Sequence, residues 1–525
     1  MKKIYCMSLL LFVFFITLGI RIYWLTQKGG FHWDESLSVT ISYYNEYGWG
    51  KEFPQGEPMS GKEIKDFVLR DNGTRGSIAT TLGDVYRLRK DNRDPPHTNF
   101  YYSLFRIFLT GLKTGNIHDI IPRGGALNLV LFSIQFFVFF ALMQLFFKNN
   151  FLVQIIATFC TFMSTATISS ALFFRPYQLQ GTIFVVFVYF FFRSLTIKKT
   201  AIIEGKIFIE PYSIIYLSFI SSLTLLTGYY AIFFIGLFGV YVIYFYIKQK
   251  NQNEIFAYIC ILVLSIVMAQ ILYLKYMQGF QSGRALETAS TIMGSSVFGN
   301  IKSSLVTIIK ILHTYYFSLP VLATILLIFI YLIVSKNKIV LPLQHCIVFV
   351  IAIIYTLVVT FLAPLKILRY SMPVYSFFII FPMLLLTAIK HKKIQYVFMG
   401  LLCISFSFNI FNENKMEYVY KNKFAEYQFT QDEALPVFIV GVGARDLLVP
   451  YLADNQTYIF IDSMNDLNTQ NVNNDFYVVC WKSSLEDAKK VIDQNFYIIT
   501  SVFDAGYNAD RNLYKFSGMQ IQRVE

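Results

Sequence analysis

Long apolar runs broken by short polar turns fill most of the first four hundred residues, and this pattern predicts about eleven membrane-crossing helices. They fall at roughly 4–25, 124–147, 151–174, 177–193, 212–227, 230–247, 255–274, 316–334, 342–363, 371–389 and 394–411. The segment 26–123, between the first two, has another texture. It carries Gly, Pro and Asn clusters, mixed charge near 61–93, and an apolar piece at 99–112 that is too short to cross and is expected along the membrane surface. Beyond about residue 412 the period changes again. PVFIVGVG (436–443), QTYIFI (456–461), DFYVVCW (475–481) and NFYIIT (495–500) read as strands, and 444–453 and 484–493 as helices. The expected architecture is an all-α polytopic membrane domain over 1–411, which includes the long loop 26–123, followed by a small α/β domain over 412–525.

Composition agrees. Of the 525 residues, 55% are hydrophobic and 15% charged, with a mean hydropathy of +0.50. A net charge of +13 could suggest nucleic acid, but the basic residues sit mostly in short turns between apolar runs, where they set topology instead. No nucleic-acid partner is expected. The start, MKK and an apolar run to about Leu25, is long and lacks a small-residue cleavage pattern, so it reads as a retained first helix. With Lys2 and Lys3 in the cytoplasm, five basic turns fall on the same side: Lys148, Arg193 to Lys206, Lys248 with Lys250, Lys336 with Lys338, and Lys390 to Lys393. The opposite, external side then receives 26–123, Arg175-Pro176, Gly228 to Tyr230, 275–315, Lys366 to Arg369 and the C-terminal domain. Cysteines 6, 160, 260, 346, 403 and 480 are scattered and suggest neither a disulfide framework nor a zinc knuckle.

The external side therefore carries the irregular sequence in which functional groups concentrate. In FHWDESLSVT (31–40), Asp34 and Glu35 sit at the rim of the first span. Carboxylates there lose hydration, so they pair, face a cavity or do chemistry; the plain alternative is that they face water and orient the helix. In DPPHTNFYY (94–102), two prolines present Asp94 and His97 from a stiff turn, and helix capping by Asp94, Thr98 or Asn99 explains the same residues. A lone histidine such as His97 is more often structural than catalytic. Arg175, with Tyr177 two residues on, and Arg369, with Lys366 close by, suit the grip of a phosphate at headgroup level, and Arg284 is a weaker member of that set. Interfacial anchoring by Arg and Tyr is the alternative. GVGARD (441–446) lacks the third glycine of a dinucleotide fingerprint and is equally a tight strand-to-helix turn.

In this order the features resemble the integral-membrane glycosyltransferases of the GT-C superfamily, which use a polyprenyl-phosphate sugar, and especially the bacterial branch related to aminoarabinose and protein mannosyl transferases. The matching stretches are Trp33-Asp34-Glu35-Ser36 after the first span, Asp94-Pro95-Pro96-His97 running into Tyr101-Tyr102, Arg175-Pro176-Tyr177, and Arg369-Tyr370 with Pro373. The histidine lies on the far side of the prolines compared with many relatives. The resemblance spans about 400 residues and implies a GT-C-like fold in a bacterial cytoplasmic membrane, with the active site outside. It further implies inverting transfer of a sugar from a polyprenyl-phosphate donor to a lipid, glycan or protein acceptor. Asp34 would be the general base, Glu35 an orienting group and Asp94 an acceptor or cation ligand. Arg175, Tyr177, Lys366, Arg369 and Arg284 would bind the donor phosphate, and Trp33, His97 and Tyr101 the sugar or acceptor. Asp34 and Asp94 could share a divalent cation, but two carboxylates are too few ligands to predict one.

Three rival functions fit the composition. A transporter or flippase of a lipid-linked substrate should carry charges within its spans, whereas these concentrate at helix ends. A polymerase or ligase of lipid-linked glycans would use a similar external cavity. A structural or sensing role would make the C-terminal domain a binding module.

Overall fold

A computed structural model describes residues 2–44, 55–69, 76–91, 98–112, 115–148, 150–203, 211–248, 252–281, 297–337, 339, 342–363, 366–420, 435–440, 448–463, 466, 476–481, 497–504 and 511–518. Asp94, His97, Arg284, the GVGARD turn and the expected helix 484–493 lie outside these residues. The chain divides into two compact units, one of Met1–Trp24, Arg89–Tyr101 and Gly125–Glu417, the other of Leu25–Leu88, Tyr102–Gly124 and Tyr418–Glu525.

The protein is an all-α polytopic membrane protein with a small C-terminal sheet domain. Among the described residues, six helices are long and apolar enough to cross a membrane: Ile4–Thr26, Ile117–Phe146, Tyr177–Leu195, Ala231–Lys248, Gln252–Leu272 and Leu343–Leu362. Two bent pairs raise the number to eight if each is one span: Phe151–Phe162 with Thr165–Leu172 at 56°, and Gly299–Tyr315 with Leu319–Val334 at 95°. The remaining expected spans coincide with shorter helices, Tyr212–Leu225, the broken stretch Met372–Ala388, and Lys392–Ser407.

The first bend has a visible cause. Ser164 caps the second half-helix, its hydroxyl accepting the Thr167 N–H at 3.4 Å, so the break leaves carbonyls of the first half without helical donors. Arg21, a fully buried cation on the first span, supplies the donors. Its guanidinium donates to Phe162 O at 3.0 Å, Thr17 O at 2.9 Å and Thr167 Oγ1 at 3.3 Å, and lies 3.9 Å over the Phe132 ring. Backbone groups at membrane depth must be satisfied from within the protein, and a cation at a helix C-terminus also meets the negative end of its dipole.

One expectation about the loops changes. The segment 275–315 is not irregular throughout, because it contains the 19-residue helix Val297–Tyr315, whose exposed Ile301, Leu305 and Ile309 are interspersed with exposed Lys302 and Ser303. The piece 99–112 forms the helix Phe100–Phe108, which buries Tyr101, Tyr102 and Phe105 in protein and exposes Ile107. An exposed apolar stripe also runs along the helix Ile78–Lys90, where Ile78, Leu82 and Tyr86 recur every fourth residue.

The second unit is built around a mixed six-stranded sheet. Its strands are β1 (Pro58–Ser60), β2 (Val437–Val440), β3 (Thr457–Ile461), β4 (Phe476–Trp481), β5 (Tyr497–Asp504) and β6 (Arg511–Gly518), in the order β1-β3-β2-β4-β6-β5. The central pairs β2 with β3 and β2 with β4 are parallel, and the others antiparallel. All four residues of β2 are buried, as a central parallel strand requires. Strand β1 comes from the loop 26–123 and pairs Pro58 with Ile459 and Ser60 with Thr457, so loop and C-terminal region share one sheet. The helix Gly61–Val68 starts where β1 ends, through a capping box in which Glu63 Oε2 accepts the Ser60 N–H at 2.7 Å. Gly61 is required there, since a Cβ would lie 2.0 Å from Ala453 O. Lys65 on this helix donates to Asn116 Oδ1 at 2.5 Å and pairs with Asp454.

Candidate functional site

The acidic segment belongs to the second unit. Residues Trp33–Ser42 form a helix because the chain before it supplies both halves of a cap: His32 Nδ1 accepts the Asp34 N–H at 3.0 Å, and Glu35 Oε2 accepts the His32 N–H at 2.7 Å. The small hydroxyl residues of this helix satisfy themselves locally, Ser38 donating to Asp34 O at 2.9 Å and Thr40 to Ser36 O at 3.2 Å. A helix of such polar composition can therefore be buried.

The two adjacent carboxylates have different surroundings. Glu35 is wholly buried against Lys28, whose Nζ lies 3.0 Å from Oε1 and 3.1 Å from Oε2. Burial holds the Lys28 ammonium below the usual lysine range, and the charge and hydrogen bond of Glu35 pull it partly back. Asp34 keeps 24% of its side chain exposed, and within 31–42 only it and Trp33 are not buried. His32 Nδ1 stands 3.5 Å from Asp34 Oδ2. Because that nitrogen already accepts a backbone N–H, the hydrogen-bond pattern assigns the proton to Nε2, and the imidazole is a neutral neighbour to the carboxylate, with no ion pair between them.

Lys28 and His32 escaped the sequence reading. A lysine on the external side, where cations are scarce, seven residues before an acidic pair, was the available signal for the first. The second carries only the weak signal of a histidine at an N-cap.

The basic residues lie in the first unit. Arg175 sits in the turn between Thr165–Leu172 and the helix that starts at Tyr177, and its N–H donates to Phe173 O at 2.8 Å. Pro176 allows an immediate restart of the helix, with Gln180 N–H reaching Pro176 O at 2.8 Å. The ring of Tyr177 stacks on Phe173 at 5.7 Å and meets Tyr370 edge-on at 6.4 Å; Tyr370 in turn meets Tyr230 at 5.9 Å. Arg369, in the short turn Leu368–Tyr370, lies 5.5 Å from the Tyr370 ring. Tyr177 and Tyr370 thus bring the two arginine turns together, and Tyr230, which the sequence reading had not placed there, joins them. Lys366 is tied to Asn300, donating to its Oδ1 at 2.5 Å and its O at 3.2 Å, and partial burial lowers its pKa.

Tyr101 is buried and donates to Asn128 Oδ1 at 3.2 Å, while Asn128 Nδ2 donates to Phe173 O and Ala171 O, each at 3.0 Å. The hydroxyl therefore braces the carbonyl on which Arg175 N–H also rests. Thr98 accepts the Phe100 N–H at 3.4 Å, and Asn99 donates to Asp91 O at 2.6 Å, both structural uses. Among the described residues no group of three or more His, Cys, Asp or Glu stands together as a metal site.

Solved structures match nearly the whole chain, among them two of one protein. The crystal structure of ArnT from Cupriavidus metallidurans bound to undecaprenyl phosphate aligns over 98% of this chain and 98% of that one, with a TM-score of 0.56 and 10% identity. Its apo state aligns over 98% and 97%, with a TM-score of 0.50 and 9% identity. Neither a protein-family model nor a curated protein matches the sequence. At such identity the likeness is one of fold, and it extends over nearly the whole chain: the protein has a fold similar to that of ArnT.

Proposed function

We propose that the protein is a membrane glycosyltransferase that moves a sugar from a polyprenyl-phosphate carrier to a lipid, glycan or protein acceptor, on the external face of a bacterial cytoplasmic membrane. The observation that carries this reading is the full-length fold match to ArnT, whose crystal structure holds undecaprenyl phosphate. Asp34 is the base that takes the acceptor hydroxyl proton as the acceptor oxygen bonds to the sugar carbon. The bond from that carbon to the carrier phosphate breaks on the opposite face, which inverts the configuration, and the phosphate leaves as an anion. Arg175 and Arg369 bind it, and cations that bind the leaving charge most strongly lower the barrier. Tyr177, Tyr230 and Tyr370 line that cluster, and Lys366 adds a further cation for the carrier phosphate. Glu35 is a positioning group, because its carboxylate is consumed by Lys28 and the helix cap.

The buried charge within the first span does not favour a transport pathway, since Arg21 is occupied by the helix break. The test is mass spectrometry of lipids and glycans from cells that lack the gene, complemented with wild-type, D34N or R175A/R369A protein. A missing glycosylated species restored by wild type but not by D34N is the expected result. The double arginine variant should also bind undecaprenyl phosphate more weakly in nanodiscs. Loss of polymer length with intact monomeric products would point to a polymerase, and an unchanged profile would sink the transferase reading.

A further inference from the structure

The C-terminal sheet domain has no role in the chemistry above, yet it holds the segment just before Asp34. Every contact concerned lies within the second unit. Lys28 Nζ donates to Tyr418 O at 2.5 Å, Gly29 N–H to Val419 O at 3.0 Å, and Phe31 N–H to the Tyr451 hydroxyl at 2.5 Å. Rings add to these bonds: Phe31 meets Tyr451 edge-on at 6.4 Å, and His32 meets Tyr418 at 6.0 Å. Tyr451 is itself fixed by the sheet. It belongs to the turn Val449–Tyr451, and it lines a small apolar space with Val437 and Ile439 of β2, Tyr458 of β3 and Val479 of β4. The phenol is thus anchored on the sheet and presents its oxygen to a backbone N–H three residues before Asp34.

We propose that the C-terminal domain is the positioning element of the acidic segment, with Tyr451 as its principal positioning residue: it fixes the chain at residues 28–32 and so sets the direction in which the Trp33–Ser42 helix presents Asp34. The inference rests on the reading of Asp34 as the base, and it gives the domain a task other than selecting an acceptor. Geometry is the reason for the effect. A base must be held within a fraction of an ångström of a productive position, and a misplacement of about 1 Å costs roughly a hundredfold in rate. The binding of the carrier phosphate, assigned to arginines of the first unit, is a separate function and should not change.

The test is Y451F in the full-length protein, which keeps the ring and removes only the hydroxyl that Phe31 N–H meets. Amide exchange in nanodiscs should quicken at residues 29–36 and remain unchanged in β2 and β3. Undecaprenyl phosphate affinity should stay within about twofold of wild type, while the rate of product accumulation in complemented cells falls by about ten- to a hundredfold. If exchange at 29–36 is unchanged, the clamp does not exist and the inference is overturned. Faster exchange with an undiminished rate, in a background where D34N is inactive, also overturns it. If D34N itself proves active, the reading of Asp34 fails, and the exchange rates still decide whether the domain holds the segment. Should Y451F fail to fold, G29P removes the backbone N–H that Val419 O accepts and leaves every side chain of the sheet in place, and it is subjected to the same measurements.

Discussion

Lys28 and Glu35 form an ion pair with both side chains wholly out of water, 3.0 Å apart, directly beside the more exposed Asp34. Burying two charges is costly, and the pair holds because Tyr418 O and the His32 N–H take up their remaining hydrogen-bonding capacity. Removing one partner strands the other. K28M or E35Q is therefore expected to destabilise the second unit by about 3–5 kcal/mol, whereas K28M/E35L should recover much of that loss. Melting of the purified variants, with D34N as a control close to wild type, checks this.

Arg21 makes a prediction of the same kind in the other unit. R21M leaves Phe162 O without its donor at the break and should cost about 1–3 kcal/mol, and R21K should recover part of it. Amide exchange across 161–172 is the measurement. Equal exchange in R21M and wild type would show that the bend holds without the cation.

Gly61 is a steric test of the junction between β1 and the following helix. G61A places a methyl group against Ala453 O, which is backbone and cannot rotate away. The expected cost is about 1–3 kcal/mol, with faster exchange in β1 and in Gly61–Val68.

The capping box at Ser60 gives a pH signature. Hydrogen bonds from the Ser60 N–H and hydroxyl hold the Glu63 carboxyl below its ordinary value. A carboxylate depressed in the folded state adds stability that is present above the unfolded value of about 4.3 and is lost as pH falls through the folded value. Exchange in Gly61–Val68 should therefore quicken over that acid range, and E63Q should abolish the pH dependence while remaining weakly capped.

How much of this was legible in the sequence depends on the range over which each signal acts. Helices and the first four strands of the C-terminal domain follow local periodicity, and each has a counterpart in the structure or lies outside the described residues. Strand β1 is only three residues, PMS, and borrows its identity from β3; Arg511–Gly518, RNLYKFSG, has no regular alternation of its own and becomes a strand by pairing with β4 and β5. Trp33 to Ser36 could be found because the motif is contiguous. Lys28 and Tyr451 could not be joined to it, because their contacts are made only after folding. The same holds for Tyr177 and Tyr370, which meet although nearly two hundred residues separate them along the chain. Arg21 inside an apolar run carries no local sign of its task, since the break it serves lies in a different helix.

The pairing of β1 with β3 also sets an order of events during synthesis. Pro58 leaves the ribosome about four hundred residues before Ile459 exists, which at 5–20 residues per second is a delay of roughly 20–80 s. Through that interval the membrane helices can insert one after another, but the segment that carries Asp34 waits without its sheet. A chain cut short by premature termination would keep its spans and lack its assembled acidic helix, so an incomplete copy in the membrane could occupy lipid without acting on it.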